Sequence, residues 1–211
     1  MTPPARYSST LRAEQAAQTR QRVLAAAGAL FAADGFARTT LARVAEAAEV
    51  SVETVQAQGS KRSLLTAAIH QLSFGGAETS FLAGPQARSL FEATTAAEFC
   101  EGGADLVGDF NAQTFRLWRA FASAAADDPA VDQELTELSG YIGDQCYQIV
   151  DMLAARGWLR DDVAVDELGD SLWVLIGSEN YDKTTTRLGW SHQRYLSWLS
   201  RSLHDLLLPK A

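Results

Sequence analysis

Apolar side chains recur at steps of three and four residues along most of this chain, the period of a helix that buries one face. Val23, Ala26, Ala27, Leu30 and Phe31 make the first such stripe, which stops at Asp34-Gly35, where glycine can take the left-handed C-terminal position. Thr39 or Thr40 then caps a second helix carrying Leu41, Val44, Ala45 and Ala48. After the break Glu49-Val50-Ser51, Ser51 caps a third with Val52 and Val55. Ser60 caps a fourth, whose stripe is Leu64, Leu65, Ala68, Ile69 and Leu72, before Phe74-Gly75-Gly76. This region has no period-two alternation, so no strand is expected.

Past a Gly84-Pro85 joint the period stays helical and the elements lengthen. Helices are expected near residues 95–110, 112–126, 129–156, 163–188 and 192–208. Asp128-Pro129 starts one of them with a cap and a proline in the first turn, Gly157 closes it, and Gly189-Trp190-Ser191 separates the last two. The pattern predicts an all-α chain with three parts: a flexible N-terminal arm over 1–18, a small helical domain over 19–72 and a larger helical domain over 73–211.

The second and third helices are only two or three turns long, too short to persist in water without packing. Leu41, Val44, Ala45, Val52 and Val55 can close against Val23, Ala27, Leu30, Phe31 and Phe36 on one side and Leu64 and Leu65 on the other. That pair has the proportions of a helix-turn-helix, whose first helix crosses a DNA backbone while the second lies in the major groove.

Charge supports this division. The chain has 211 residues, 47% of them hydrophobic, and a net charge of -8, which at first opposes phosphate binding. The negative charge is not evenly spread. Residues 1–72 carry eight basic side chains against five acidic ones, a net +3, leaving -11 for the remainder. A basic working end attached to an acidic body that DNA repels fits those numbers. The polar N-terminus and the absence of a long apolar run predict neither a signal peptide nor a membrane span, and a cytoplasmic protein. Cys100 and Cys146 are far apart with no Cys-x-x-Cys spacing, which points to buried thiols rather than metal ligands. The three histidines, His70, His192 and His204, form no metal motif, and no nucleophile elbow or phosphate-cradling glycine loop occurs. No metal, cofactor or enzymatic activity is therefore expected.

The stretches Arg20 to Thr40 (RQRVLAAAGALFAADGFARTT), Val44 to Ser51 (VAEAAEVS) and Ser60 to Leu65 (SKRSLL) resemble the N-terminal domain of the TetR family of bacterial transcriptional regulators. Those segments cover about a quarter of the chain. The resemblance implies a homodimer that binds a double-stranded DNA operator and releases it when a small molecule enters the larger domain, and so a repressor. It also assigns roles. Thr39, Thr40 and Arg43 stand where the second helix meets phosphate; Ser51, Glu53 and Thr54 open the recognition helix; Lys61 matches a phosphate-clamping lysine. The chain departs from the family in two places: Gln56 replaces a usual tyrosine, and the run Gln58-Gly59-Ser60-Lys61 is one residue shorter and lacks an aromatic. Gln56 and Gln58 can still read adenine through paired hydrogen bonds. Glu53 can instead complement the positive end of its own helix.

In the larger domain, aromatics such as Phe110, Trp118, Phe121, Tyr147 and Tyr181, with Asn180 as a polar anchor, fit either ordinary core or the wall of a ligand cavity. The family likeness favours the cavity. Leu168, Leu172, Leu175 and Ile176, with Trp198, Leu199 and Leu203, form stripes that can serve core or partner, and the likeness favours a four-helix dimer interface. The competing reading is a helical protein-interaction module with a degenerate helix-turn-helix that no longer binds DNA specifically.

Overall fold

A computed structural model describes residues 5–74, 82 and 85–209. Its elements are α1 (Ala5–Arg38), α2 (Leu41–Ala48), α3 (Val52–Gln58), α4 (Lys61–Phe74), α5 (Pro85–Phe91), α6 (Ala96–Ala125), α7 (Pro129–Ala155), α8 (Val165–Ile176), α9 (Ser178–Asp182) and α10 (His192–Leu207), with a π-helical turn over Lys183–Arg187. Among the described residues there is no strand.

The local signals for the early helices hold at atomic detail. Gly35 interrupts α1 with φ 80°, and the last turn folds Phe36 back onto Phe31 at 5.8 Å between ring centroids. Thr40 caps α2 by accepting from Arg43 N, Ser51 caps α3 by accepting from Thr54 N, and Ser60 accepts from Ser63 N at the start of α4. Glu49 takes the left-handed conformation that closes α2. The arm expected over 1–18 is helical from Ala5 onward; residues 1–4 lie outside the described residues. Alanine, glutamate, glutamine and arginine are all good helix formers, so the segment continues the helix that starts further in.

Two expected boundaries move. The break expected at Asn111 is absent, and α6 runs unbroken for 30 residues. No glycine or proline stands beside Asn111, and its side chain bonds to distant partners instead of competing for the nearby backbone. Conversely the helix expected over 163–188 is cut at Gly177, where ψ is 139°. That cut orphans the last carbonyls of α8, and two asparagines satisfy them. Asn180 Nδ2 donates to Val174 O at 2.7 Å and Leu175 O at 3.1 Å, and Asn111 Nδ2, from α6, donates to Ile176 O at 2.9 Å.

Two apolar clusters hold the chain together. The first joins Val23 and Phe31 of α1, Val44 of α2, Val55 of α3 and Leu64 of α4 to Leu117 and Phe121 of α6 and Val131 of α7. It thus continues across residue 72. Arg62 with Asp128 at 2.9 Å and the hydrogen bond from Thr66 to Glu134 add polar ties at the same seam. The second cluster packs Phe99 and Cys100 of α6, Cys146 and Val150 of α7, Leu168 of α8 and Tyr195 and Leu199 of α10.

A candidate nucleic-acid interface and an internal cavity

The unit α2–α3 is anchored from within and polar without. Val44, Ala45, Ala48 and Val55 are buried, while Arg43, Ser51, Glu53 and Gln56 are exposed. The junction that is shorter than in the family keeps this packing: Gly59 turns the chain with φ 133°, and Val55 shares one cluster with Leu64 and Leu65, all three fully buried. Gln58 is held by Arg20 of α1, whose guanidinium donates to Oε1 at 3.2 Å.

The expected contact residues separate into exposed and occupied groups. Thr39 is buried, and its hydroxyl donates to Gly35 O at 2.9 Å. A phosphate contact through that hydroxyl would break an internal bond, so Thr39 locks the turn and Thr40, exposed at the cap, is the threonine that faces outward. Arg43 pairs with Asp34 at 2.7 Å and donates to Arg38 O at 3.3 Å. Lys61 donates to Ala37 O at 3.4 Å and lies 4.2 Å from the centroid of the Phe36 ring. Desolvation there lowers the Lys61 pKa below its ordinary value. Lys61 therefore clips the start of α4 to the end of α1 and leaves its ammonium at the edge of the basic face. Glu53 has its carboxyl held below the ordinary value by its own backbone N–H and then by the Ser51 hydroxyl, the behaviour of a helix-start carboxylate. Ser51 and Thr54 hydroxyls lie 3.1 Å apart, and Gln56 projects from the middle of α3 into solvent.

In the bundle, α6, α7 and α8, with residues of α5, α9 and α10, line a partly open cavity of about 230 Å³. Phe110 and Trp118 line it, as the sequence suggested. The other four expected ligand residues do not. Phe121 is fully buried in the first cluster and packs on Trp118. Tyr147 is exposed, and its hydroxyl donates to Asp170 at 2.5 Å; that bond is the main cause of its raised pKa. Asn180 is spent on the α8 carbonyls. Tyr181 packs edge-on against Tyr195 and reaches His192 Nδ1 at 3.1 Å, while His192 Nε2 lies 3.0 Å from Asp109; this chain pins α9 to α10 and α6. Those residues carry aromatic or amide groups at helical spacing, but spacing alone does not tell which side of a bundle a position faces.

Sequence reasoning missed Gln145 and Glu179 on the cavity wall, and both cysteines line it as well. Burial raises the Cys100 thiol to about 11, with Glu101 adding to the effect, and raises Cys146 to about 12. Both are protonated near neutrality. Asn111 is 2% exposed on the same wall, and Tyr195 OH accepts from its Nδ2 at 3.2 Å. Among the described residues, no cluster of three or more His, Cys, Asp or Glu side chains could hold a metal ion.

The expected interface stripe is also relocated. Leu168, Leu172, Leu199 and Leu203 are buried inside a single chain, and Leu175, Ile176 and Trp198 pack partly against the same cluster. The apolar stripes of α8 and α10 thus face α6 and α7, because a helix in a two-layer bundle must first cover its own core. The exposed apolar side chains nearby are Val165, Trp173, Val174 and Leu188. No helix among the described residues is long and apolar enough to cross a membrane.

No protein-family model and no curated protein sequence matches the chain. Solved structures do. A transcriptional regulator from Saccharomonospora viridis, in complex with choline, is 17% identical, with a TM-score of 0.71 over 92% of this chain and 100% of that one. A TetR-family regulator from Syntrophomonas wolfei is 15% identical, with a TM-score of 0.69 over 90% and 94%. NalD of Pseudomonas aeruginosa, the secondary repressor of the MexAB-OprM multidrug efflux pump, is 18% identical, with a TM-score of 0.61 over 92% and 98%. The likeness spans at least 90% of this chain in each case, and the chain has the fold of the TetR family of transcriptional regulators.

Proposed function

We propose that this protein is a DNA-binding transcriptional regulator whose affinity for its operator is set by a small molecule in the internal cavity. The observation that carries the reading is α3: a seven-residue helix capped by Ser51, held by the buried Val55 and the partly buried Val52, that turns Glu53, Thr54 and Gln56 outward beside the basic side chains of α1, α2 and α4. A short helix fixed by its neighbours with polar side chains outward is what reading a major groove requires. Choline bound to one structure of this fold, and repression of an efflux pump by another, support an effector-controlled repressor here.

The active species is a two-fold dimer. Its interface is formed by the outer faces of α8 and α10, where Val165 and Val174 are exposed, Asp166, Glu167 and Asp170 stand on α8, and Arg194 and Arg201 stand on α10. Isologous pairing sets the acidic helix of each copy against the basic helix of the other. Two recognition helices about 34 to 36 Å apart, or a multiple of that spacing, then enter successive grooves of a pseudo-palindromic site.

Gel retardation and footprinting on the DNA flanking the gene test this. A protected palindrome and an affinity that falls steeply with salt are expected. No retention on any duplex at low salt refutes the proposal and favours a protein-binding module on the same scaffold.

A further inference from the structure

We propose that the cavity takes a monocationic amine with an apolar, ring-sized body. The inference rests on the cavity being the effector site and follows from the chemistry of its wall. Among the described lining residues Glu179 is the one that is charged; no lysine, arginine or histidine faces the space. Glu179 is exposed, so its carboxylate stands at the mouth of the cavity, and it has no hydrogen bond or ion pair among the described residues. The carboxylate sits in the first turn of α9, beside the Gly177 cut: a Cβ placed on Gly177 would come within 2.7 Å of Glu179 Oε2.

The neutral polar groups point the same way. Both hydrogens of Asn111 Nδ2 are engaged, by Ile176 O and Tyr195 OH, which leaves Oδ1 as an acceptor without a donor among the described residues. Gln145 has its amide on both sides occupied, donating to Tyr141 O and accepting from Leu82 N. The wall therefore offers the Asn111 amide oxygen and one negative charge as acceptors, with the Ser139 and Ser178 hydroxyls and the Trp118 and Trp173 indoles as its neutral donors, and no cation among the described lining residues. An anion placed here would lose its hydration next to Glu179 with no compensating cation. An ammonium finds the carboxylate, the amide oxygen and the aromatic rings of Phe110, Trp118 and Trp173, whose faces attract cations. The acidic body, net -11 over residues 73–211, raises the local concentration of cations further.

Size sets the rest of the ligand. A cavity of roughly 150 Å³ accepts benzene, so 230 Å³ accommodates one ring and a short chain ending in nitrogen.

The test is calorimetric titration of the full-length protein with three near-isosteric probes, 2-phenylethylamine, 2-phenylethanol and 3-phenylpropionate, on the wild type and on Glu179→Gln. The amine is expected to bind about tenfold tighter than the alcohol, as a charge-assisted hydrogen bond allows, and the carboxylate not measurably. Glu179→Gln should remove that advantage while leaving the alcohol unchanged. Equal affinity for amine and alcohol, tighter binding of the carboxylate, or an amine preference that survives Glu179→Gln each overturn the assignment of ligand class. Failure of all three probes to bind the wild type at millimolar concentration overturns the cavity as an effector site, a different result from binding with the wrong preference.

Discussion

Asn111→Ala isolates the tie that holds the interrupted α8–α9 segment to the long helix α6. The side chain is 2% exposed, and it makes one bond of 2.9 Å to Ile176 O and one of 3.2 Å to Tyr195 OH. Truncation removes both bonds and leaves a carbonyl and a phenol hydroxyl with no donor, each costing about 1 to 3 kcal/mol when water cannot replace it. A total near 3 kcal/mol follows, since Ile176 is only partly buried and regains some hydration. With a urea dependence toward the upper end of about 1 to 3 kcal/mol per molar, the denaturation midpoint falls by about 1 M. Asn180→Ala is the control. It removes two comparable bonds, but those to Val174 and Leu175 lie where Val174 is 70% exposed, and the expected loss is about 1 kcal/mol. Both are measured at one protomer concentration, because the midpoint of the proposed dimer would depend on it. A double-mutant cycle with Tyr195→Phe should return a coupling of at least about 0.5 kcal/mol. If Asn111→Ala costs no more than Asn180→Ala, or the cycle is additive, the tie between α6 and the cut is not what stabilises this region.

Four further outcomes are expected. Thr40→Ala should cost about 1 kcal/mol as a lost cap and weaken binding to all duplexes, whereas Thr39→Val should lower thermal stability with no change in the salt dependence of DNA binding. Lys61→Ala should reduce the slope of log affinity against log salt by about 1 and also lower the melting temperature, because Phe36 loses its cation. Gly59→Ala should destabilise by about 1 to 3 kcal/mol, since φ is 133° and the new Cβ would lie 3.1 Å from Ser63 Cβ; unchanged urea midpoints would refute that strain. The two thiols give a pH signature: both are protonated in folded and unfolded chains below the ordinary value of 9.0, and above it the unfolded chain releases protons that the fold retains up to about 11 and 12. Stability should fall through that window more steeply than in the Cys100→Ala, Cys146→Ala variant, and thiol reagents should react slowly near neutrality.

What the sequence made legible was local. Thr40, Ser51, Ser60 and Asp128 cap the helices they precede, because a cap involves only the next three residues. Gly35 and Gly157 have the positive φ their helix-closing positions suggested. The cut at Gly177 was not legible, because one of its stabilising groups, Asn111, is 65 residues away in the chain. The same blindness affected the facing of α8 and α10: apolar spacing identifies a buried face but not its partner, and Leu168, Leu172, Leu199 and Leu203 proved to be covered by their own chain. At the helix-turn-helix end, residue type and position could not show that Thr39 was already engaged or that Arg20 holds Gln58.

The uninterrupted α6 has a mechanical consequence. Thirty residues at 1.5 Å each make a rod of about 45 Å, with Phe110 and Trp118 on the cavity and Leu117 and Phe121 under the first cluster. A tilt of about 3° at one end sweeps the other by about 2 Å. Under the proposed function, a guest displacing the Trp118 indole would therefore be felt at the far tip as a shift of that size, with no local unfolding required.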